Sequence, residues 1–191
     1  ASRKNGKDQL FYVNLELING TTLNLLANDR LNWGGGYTTT IGQNSALNVS
    51  NTRQSLSGGA AIVMDGGVIY GIGGAYANTD DNFTAGLDFH QDGTIKVTSN
   101  STIATAVASR ATDRNVTINV DAGATLTIGS YSVGDQVFTG ALVGKGGFTK
   151  AGSGTLVYNG AAFTNNLTIS GGVFEYVVAN DMSHNASVNG A

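Results

Sequence analysis

One phrase recurs along this chain: a small turn residue, then Thr or Ala, then apolar-polar-apolar. It reads Gly20-Thr-Thr-Leu-Asn-Leu25, Asn44-Ser-Ala-Leu-Asn-Val49, Gly67-Val-Ile-Tyr70 and Gly93-Thr-Ile-Lys-Val97. It returns at Gly123-Ala-Thr-Leu-Thr-Ile128, Gly154-Thr-Leu-Val-Tyr158 and Gly172-Val-Phe-Glu-Tyr176. Alternation of period two marks a strand with one buried face. The glycine or asparagine before each phrase suits a hard turn, because such residues tolerate positive φ. Leu10 to Ile18 alternates most clearly, with Phe11, Val13, Leu15 and Leu17 on one wholly apolar face. The one helix candidate is Ile103 to Ala111, whose small residues equally suit a tight inner corner.

The phrases come at intervals of about 18 to 31 residues, a ragged period that suits a coil of strands with loops of variable length. At about 20 to 25 residues per turn the chain makes roughly eight rungs, a rod about 40 Å long at about 4.8 Å per rung. The reading is therefore all-β: a single right-handed parallel β-helix (β-solenoid) over 10–191, preceded by a polar arm over 1–9. Two stretches leave the phrase and read as excursions, near 29–40 (DRLNWGGGYTTT) and near 71–86 (GIGGAYANTDDNFTAG).

Between Ala141 and Tyr176 the strands follow at the closest spacing. Here the run Leu142-x-Gly-x-Gly-Gly-Phe-x-Lys150-x-Gly-x-Gly154-Thr-Leu156-x-Tyr, then Asn159-Gly160, Phe163-Thr164, Leu167-x-Ile169 and Gly171-Gly172-x-Phe174, resembles the passenger-associated repeat of bacterial autotransporters. Val173-Phe174 replaces that repeat's usual leucine close. The resemblance implies a right-handed parallel β-helix exposed on a bacterial cell surface, and it carries no catalytic residue.

Composition narrows the picture further. Only 12% of residues are charged, about half the usual share, so solubility rests on Asn, Thr, Ser and Gly. With a net charge of -3 and scattered basic residues, nothing favours nucleic acid, whose phosphates need clustered Lys and Arg. The absence of proline suits a backbone hydrogen-bonded almost throughout, and the absence of cysteine excludes disulfides and thiolate metal sites. No apolar run reaches the length of a spanning helix.

Candidate chemistry is sparse. Asp88, His90 and Asp92 would share one face of an extended run and present two carboxylates and an imidazole to a cation or a sugar. The alternative for this run is a solvated strand face. Trp33 with Tyr37 would offer a carbohydrate-stacking platform or seal an excursion. Asn-x-Ser/Thr sequons read as outward ladders rather than as glycosylation sites. No cofactor is expected. The closing Ala186-Ser-Val-Asn-Gly-Ala191 reads as a phrase awaiting its next strand, which makes Phe11, Val13, Leu15, Leu17 and Val188 candidates for self-association. The expected function is a non-enzymatic, extracellular structural or adhesive module of a bacterial surface, with itself and surface glycans as partners. A filament subunit assembled by end-to-end strand addition and a carbohydrate-active β-helix enzyme are the alternatives.

Overall fold

The structure, a computed structural model, describes residues 9–25, 31–33, 35–50, 54–56, 61–71, 86–160, 166–177 and 186–188. Its strands are three to seven residues long, each too short to do more than cross one face before the chain turns. The first rung is β1 (Gln9–Phe11), β2 (Leu15–Leu17) and β3 (Thr22–Asn24); the second is β4 (Leu31–Trp33), β5 (Thr38–Ile41) and β6 (Ala46–Asn48). The third rung is β7 (Gln54–Leu56), β8 (Ala61–Asp65) and β9 (Val68–Tyr70), and the fourth β10 (Leu87–Phe89), β11 (Gly93–Ser99) and β12 (Ser101–Ala104). The fifth follows with β13 (Ala106–Ser109), β14 (Asn115–Val120) and β15 (Thr125–Ile128), after which β16 (Ser130–Val133) and β17 (Gln136–Thr139) form a hairpin. The sixth is β18 (Ala141–Gly144), β19 (Gly147–Ala151) and β20 (Thr155–Tyr158); β21 (Leu167–Ile169), β22 (Val173–Tyr176) and β23 (Ala186–Val188) complete the described chain.

Equivalent strands of successive rungs pair in parallel and build three sheets. Sheet one is β1-β4-β7-β10-β13-β18, sheet two is β2-β5-β8-β11-β14-β19-β21-β23, and sheet three is β3-β6-β9-β12-β15-β20-β22. The eight strands of sheet two match the roughly eight rungs expected from the length of the chain; the recurring phrase falls on sheet three in every case but Gly93–Val97, which lies in β11 of sheet two. A left-handed residue recurs at the corner from sheet two to sheet three: Asn19 at φ 58°, Asn44 at φ 57°, Gly66 at φ 85°, Gly123 at φ 77° and Gly172 at φ 70°.

Parallel register stacks like positions into columns that form the core. In sheet three Leu23, Leu47, Ile69, Ile103, Ile128, Tyr158 and Tyr176 stand one above another. In sheet two Leu17, Ile41, Met64, Val97 and Val120 do the same. Burying each large side chain contributes about 1.5–3 kcal/mol. Tyr158 is fully buried, stacks on Tyr176 with ring centroids 5.9 Å apart, and its hydroxyl accepts the Leu142 N–H at 3.3 Å.

Burial pushes the Tyr158 phenol up to about 12, against 10.0 for an unperturbed tyrosine. A folded-state value above the unfolded one stabilises fully below pH 10.0, and that stabilisation is lost as pH rises toward about 12. Urea midpoints across the alkaline range are expected to fall for wild type by about 3 kcal/mol more than for Tyr158→Phe. An identical alkaline loss in both proteins would refute this assignment.

Several expectations are corrected. Ile103 to Ala111 is not helical: it holds the second half of β12 and all of β13, with Ala104 and Thr105 buried at the corner between them. The stretch at 29–40 does not leave the coil; β4 and most of β5 lie in it, and Leu15 pairs with Thr39, an ordinary rung of 24 residues. Trp33 ends β4, and Gly35, Gly36 (φ 80°) and Tyr37 lie in the corner before β5. The expected excursion near 71–86 does enlarge its rung, since Gln54 pairs with Leu87, 33 residues on; residues 72–85 lie outside the described residues. Leu10 to Ile18 is not one strand. It bends at Tyr12 to Asn14, so β1 and β2 belong to different sheets.

Thr105 is fully buried, and its hydroxyl has no hydrogen-bond partner among the described residues. An unmet buried hydroxyl costs about 1–3 kcal/mol. Thr105→Val, which keeps the shape and removes the orphan, is expected to raise the thermal and urea midpoints, by about 1 kcal/mol of stability. A drop in both midpoints would show that the hydroxyl is satisfied after all.

Candidate functional site

The most concentrated polar chemistry lies on sheet one, where Asp88 is 1% exposed in the middle of β10. Parallel pairing sets Asp88 beside Ala108 of the next rung. Two residues past Ala108, Arg110 swings back over the strand. Its Nε donates to Asp88 Oδ1 at 3.1 Å, and its terminal nitrogen donates to Oδ2 at 2.5 Å. His90 Nε2 lies 3.0 Å from the same Oδ2. The carboxylate is thus held by a forked guanidinium and an imidazole, an arrangement that neutralises its charge within the protein.

The run read as Asp88, His90 and Asp92 is therefore divided by the fold. Asp88 and His90 come together, whereas Asp92 lies past the end of β10 and accepts the backbone N–H of Asn115 at 3.0 Å. Asp92 belongs to a repeated device: Asn14 accepts the N–H of Thr38 at 2.9 Å, and Asn100 that of Thr125 at 2.9 Å. In each case an Asn or Asp ahead of one strand caps the first or nearby amide of the corresponding strand one rung on. Among the described residues no group of three His, Asp or Glu side chains is placed to hold a metal.

The self-association candidates separate in the same way. Leu17 is buried and Leu15 packs against the same core, in register with Thr39 and Ile41, so neither presents a free face. Val13 is exposed at the corner, beside an exposed Tyr12. Phe11 pairs through its backbone with Trp33, and Val188 with Ile169; the side chains of Phe11, Trp33 and Val188 lie outside the described residues. Tyr37 is half-buried and meets Tyr12 edge-on at 6.0 Å.

Two outer features were not anticipated or only partly so. The expected ladders form: Asn48 Nδ2 donates to Asn24 Oδ1 at 2.9 Å, and on sheet two Thr94, Thr117, Thr149 and Thr168 fall in one register column. The hairpin β16–β17 is the unforeseen one. It folds back on the outside of sheet three, where Tyr131 and Phe138 pack on Tyr70 at 5.3 and 5.0 Å between ring centroids. Alternation around the two-residue Gly134-Asp135 loop, with Gly134 at φ 57°, is a hairpin signal that was available in the sequence.

Searches against family models, curated proteins and solved structures return no match for this chain. Among the described residues no helix is long and apolar enough to cross a membrane.

Proposed function

We propose that the chain is a non-enzymatic structural or adhesive module displayed outside a bacterial cell, acting through the shape of its rod and through contacts of its repeated outer faces. The observation that carries this reading is the outer column Thr94, Thr117, Thr149 and Thr168: one short uncharged side chain repeated rung after rung on a rigid support. Such a surface offers many weak identical contacts, which suits avidity rather than a single catalytic event. The resemblance of the Leu142–Phe174 run to passenger repeats supports the surface placement. The forked Arg110 pair supports a structural role for Asp88, since a carboxylate so engaged is poorly placed to act on a substrate.

A second reading, an end-to-end filament subunit, is favoured by exposed apolar side chains toward both ends of the described rungs: Tyr12, Val13 and Ile18 in the first, Val173 and Val177 in or beside β22. Electron microscopy of the purified chain with a light-scattering concentration series tests both. Single short rods at all concentrations favour the adhesive module. Lengths in multiples of one rod, abolished by Val13→Glu or Val173→Glu, favour the filament. Compact particles with no rod axis would sink both readings.

A further inference from the structure

The corner between sheets two and three changes length from rung to rung, and the change cuts a notch into the rod. Ala46 follows Ile41 by five positions, Val68 follows its register equivalent Met64 by four, and Thr102 follows Val97 by five. Thr127 follows Val120 by seven, so the fifth corner overhangs through Ala122 and Gly123. Between this overhang and the second corner lies a cavity of about 470 Å³ with Gly66 in its lining. That volume is in the range of small-molecule sites. A side chain at Gly66 would run into Gln43 Cγ, 2.8 Å from an added Cβ.

The polar groups facing this notch have their roles preset. Thr98 Oγ1 and Ser99 Oγ both donate to Asp65 Oδ1, at 2.8 and 2.9 Å. Each hydroxyl has one proton, so toward the notch both present lone pairs only. These two hydrogen bonds, Thr98 first, hold the Asp65 carboxyl below the usual aspartate value of 3.8, so it stays an acceptor at neutral pH. Asn100 Oδ1 accepts the Thr125 N–H, which leaves its amide nitrogen to donate. Gln43 and Asn44 add exposed amides from the opposite wall. Among the described residues no cationic side chain lines the notch, and Lys96 pairs with Asp121 at 3.7 Å.

We infer that this notch binds an uncharged saccharide unit. Vicinal sugar hydroxyls donate and accept at once, and so match preset acceptors at Thr98 and Ser99 beside a preset donor at Asn100 and the exposed amides of Gln43 and Asn44. The Asp65 carboxylate, hydrogen-bonded by Thr98 and Ser99 of the lining, disfavours acidic sugars. The inference goes beyond the adhesive reading and does not rest on rod assembly, since it is read on the isolated chain.

The test is an NMR titration of the isotope-labelled chain with the methyl glycosides of glucose, galactose, mannose and N-acetylglucosamine, with galacturonate as the charged comparator. At least one neutral glycoside is expected to shift the amides of Asn44, Ser99, Asn100 and Gly123 saturably, with Kd of about 1 mM. Thr98→Val is expected to weaken that binding about tenfold. Ala122→Trp, which fills the mouth from an exposed position, is expected to abolish it with the melting temperature unchanged. Silence of those amides toward all four neutral glycosides overturns the inference, as does galacturonate binding equally well. Should Ala122→Trp fail to fold, the Thr98→Val comparison decides, and unchanged affinity there also overturns it.

Discussion

Lys150→Ala is expected to lower stability by about 3–5 kcal/mol, read from the urea midpoint of the circular dichroism signal. Lys150 is fully buried in the register column that also holds Ile62, Ile95, Ile118 and Ile169. Its ammonium is met by three carbonyls: Nζ donates to Ala151 O at 2.8 Å, Gly152 O at 3.0 Å and Gly171 O at 3.0 Å. The third carbonyl belongs to the next rung, so one side chain fastens two successive corners. Space for it exists because Gly172 has no Cβ; an added one would lie 2.8 Å from Nζ. Alanine removes the packed stem and leaves the carbonyls without their donor. Lys150→Met restores the stem alone, so its midpoint is expected between those of alanine and wild type. Lys150→Glu sets a carboxylate against the carbonyls and is expected to yield no folded sixth and seventh rungs.

Burial holds the Lys150 amine below its ordinary 10.5, which gives the same site a pH signature. The depressed value means that the unfolded chain binds more protons in the window below 10.5, so stability from this group rises as pH climbs through that window. The stability of wild type relative to Lys150→Met is expected to rise there. A flat difference would show that burial does not hold the amine down, and alanine costing under about 1 kcal/mol would show that the side chain does not fasten the rungs.

Asp88→Ala is the second large effect, expected at about 3–5 kcal/mol because it removes the buried carboxylate that the Arg110 guanidinium and the His90 imidazole share. Asp88 is 1% and Arg110 13% exposed by side chain, so water replaces little of what is lost. Asp88→Asn keeps an acceptor and is expected to cost less. The double variant Asp88→Ala with Arg110→Ala is expected to be more stable than the sum of the single losses implies, which a double-mutant cycle in urea measures. Additive losses would mean that the pair contributes nothing through its contact. The experiment also bears on function: a structural Asp88 leaves the rod's outer ladders intact as the surface proposed to act.

Much of this was legible before any coordinates. Alternation in Thr-Leu-Thr-Ile128 or Thr-Leu-Val-Tyr158 depends only on neighbours in the chain, and a glycine or asparagine ahead of each phrase marks its turn. Those local facts determine most strands, their corners and the all-β class, and the length of the chain then sets the approximate number of rungs. They failed where the same local pattern serves two outcomes. Leu10 to Ile18 alternates without a break, yet the coil turns at Tyr12 to Asn14. The stretch Ile103 to Ala111 has residues small enough for either helix or corner, and pairing to neighbouring rungs decided for strands.

What only the tertiary structure decided is which residues meet across rungs. Arg110 reaches Asp88 over 22 positions, Lys150 reaches Gly171 over 21, and Thr98 reaches Asp65 over 33. Rung length varies with each corner and insertion, so no constant spacing in the sequence links such partners. The notch has the same origin: it exists because one corner is short and another long by two or three residues, a difference that becomes a cavity only once parallel pairing has stacked the rungs in register.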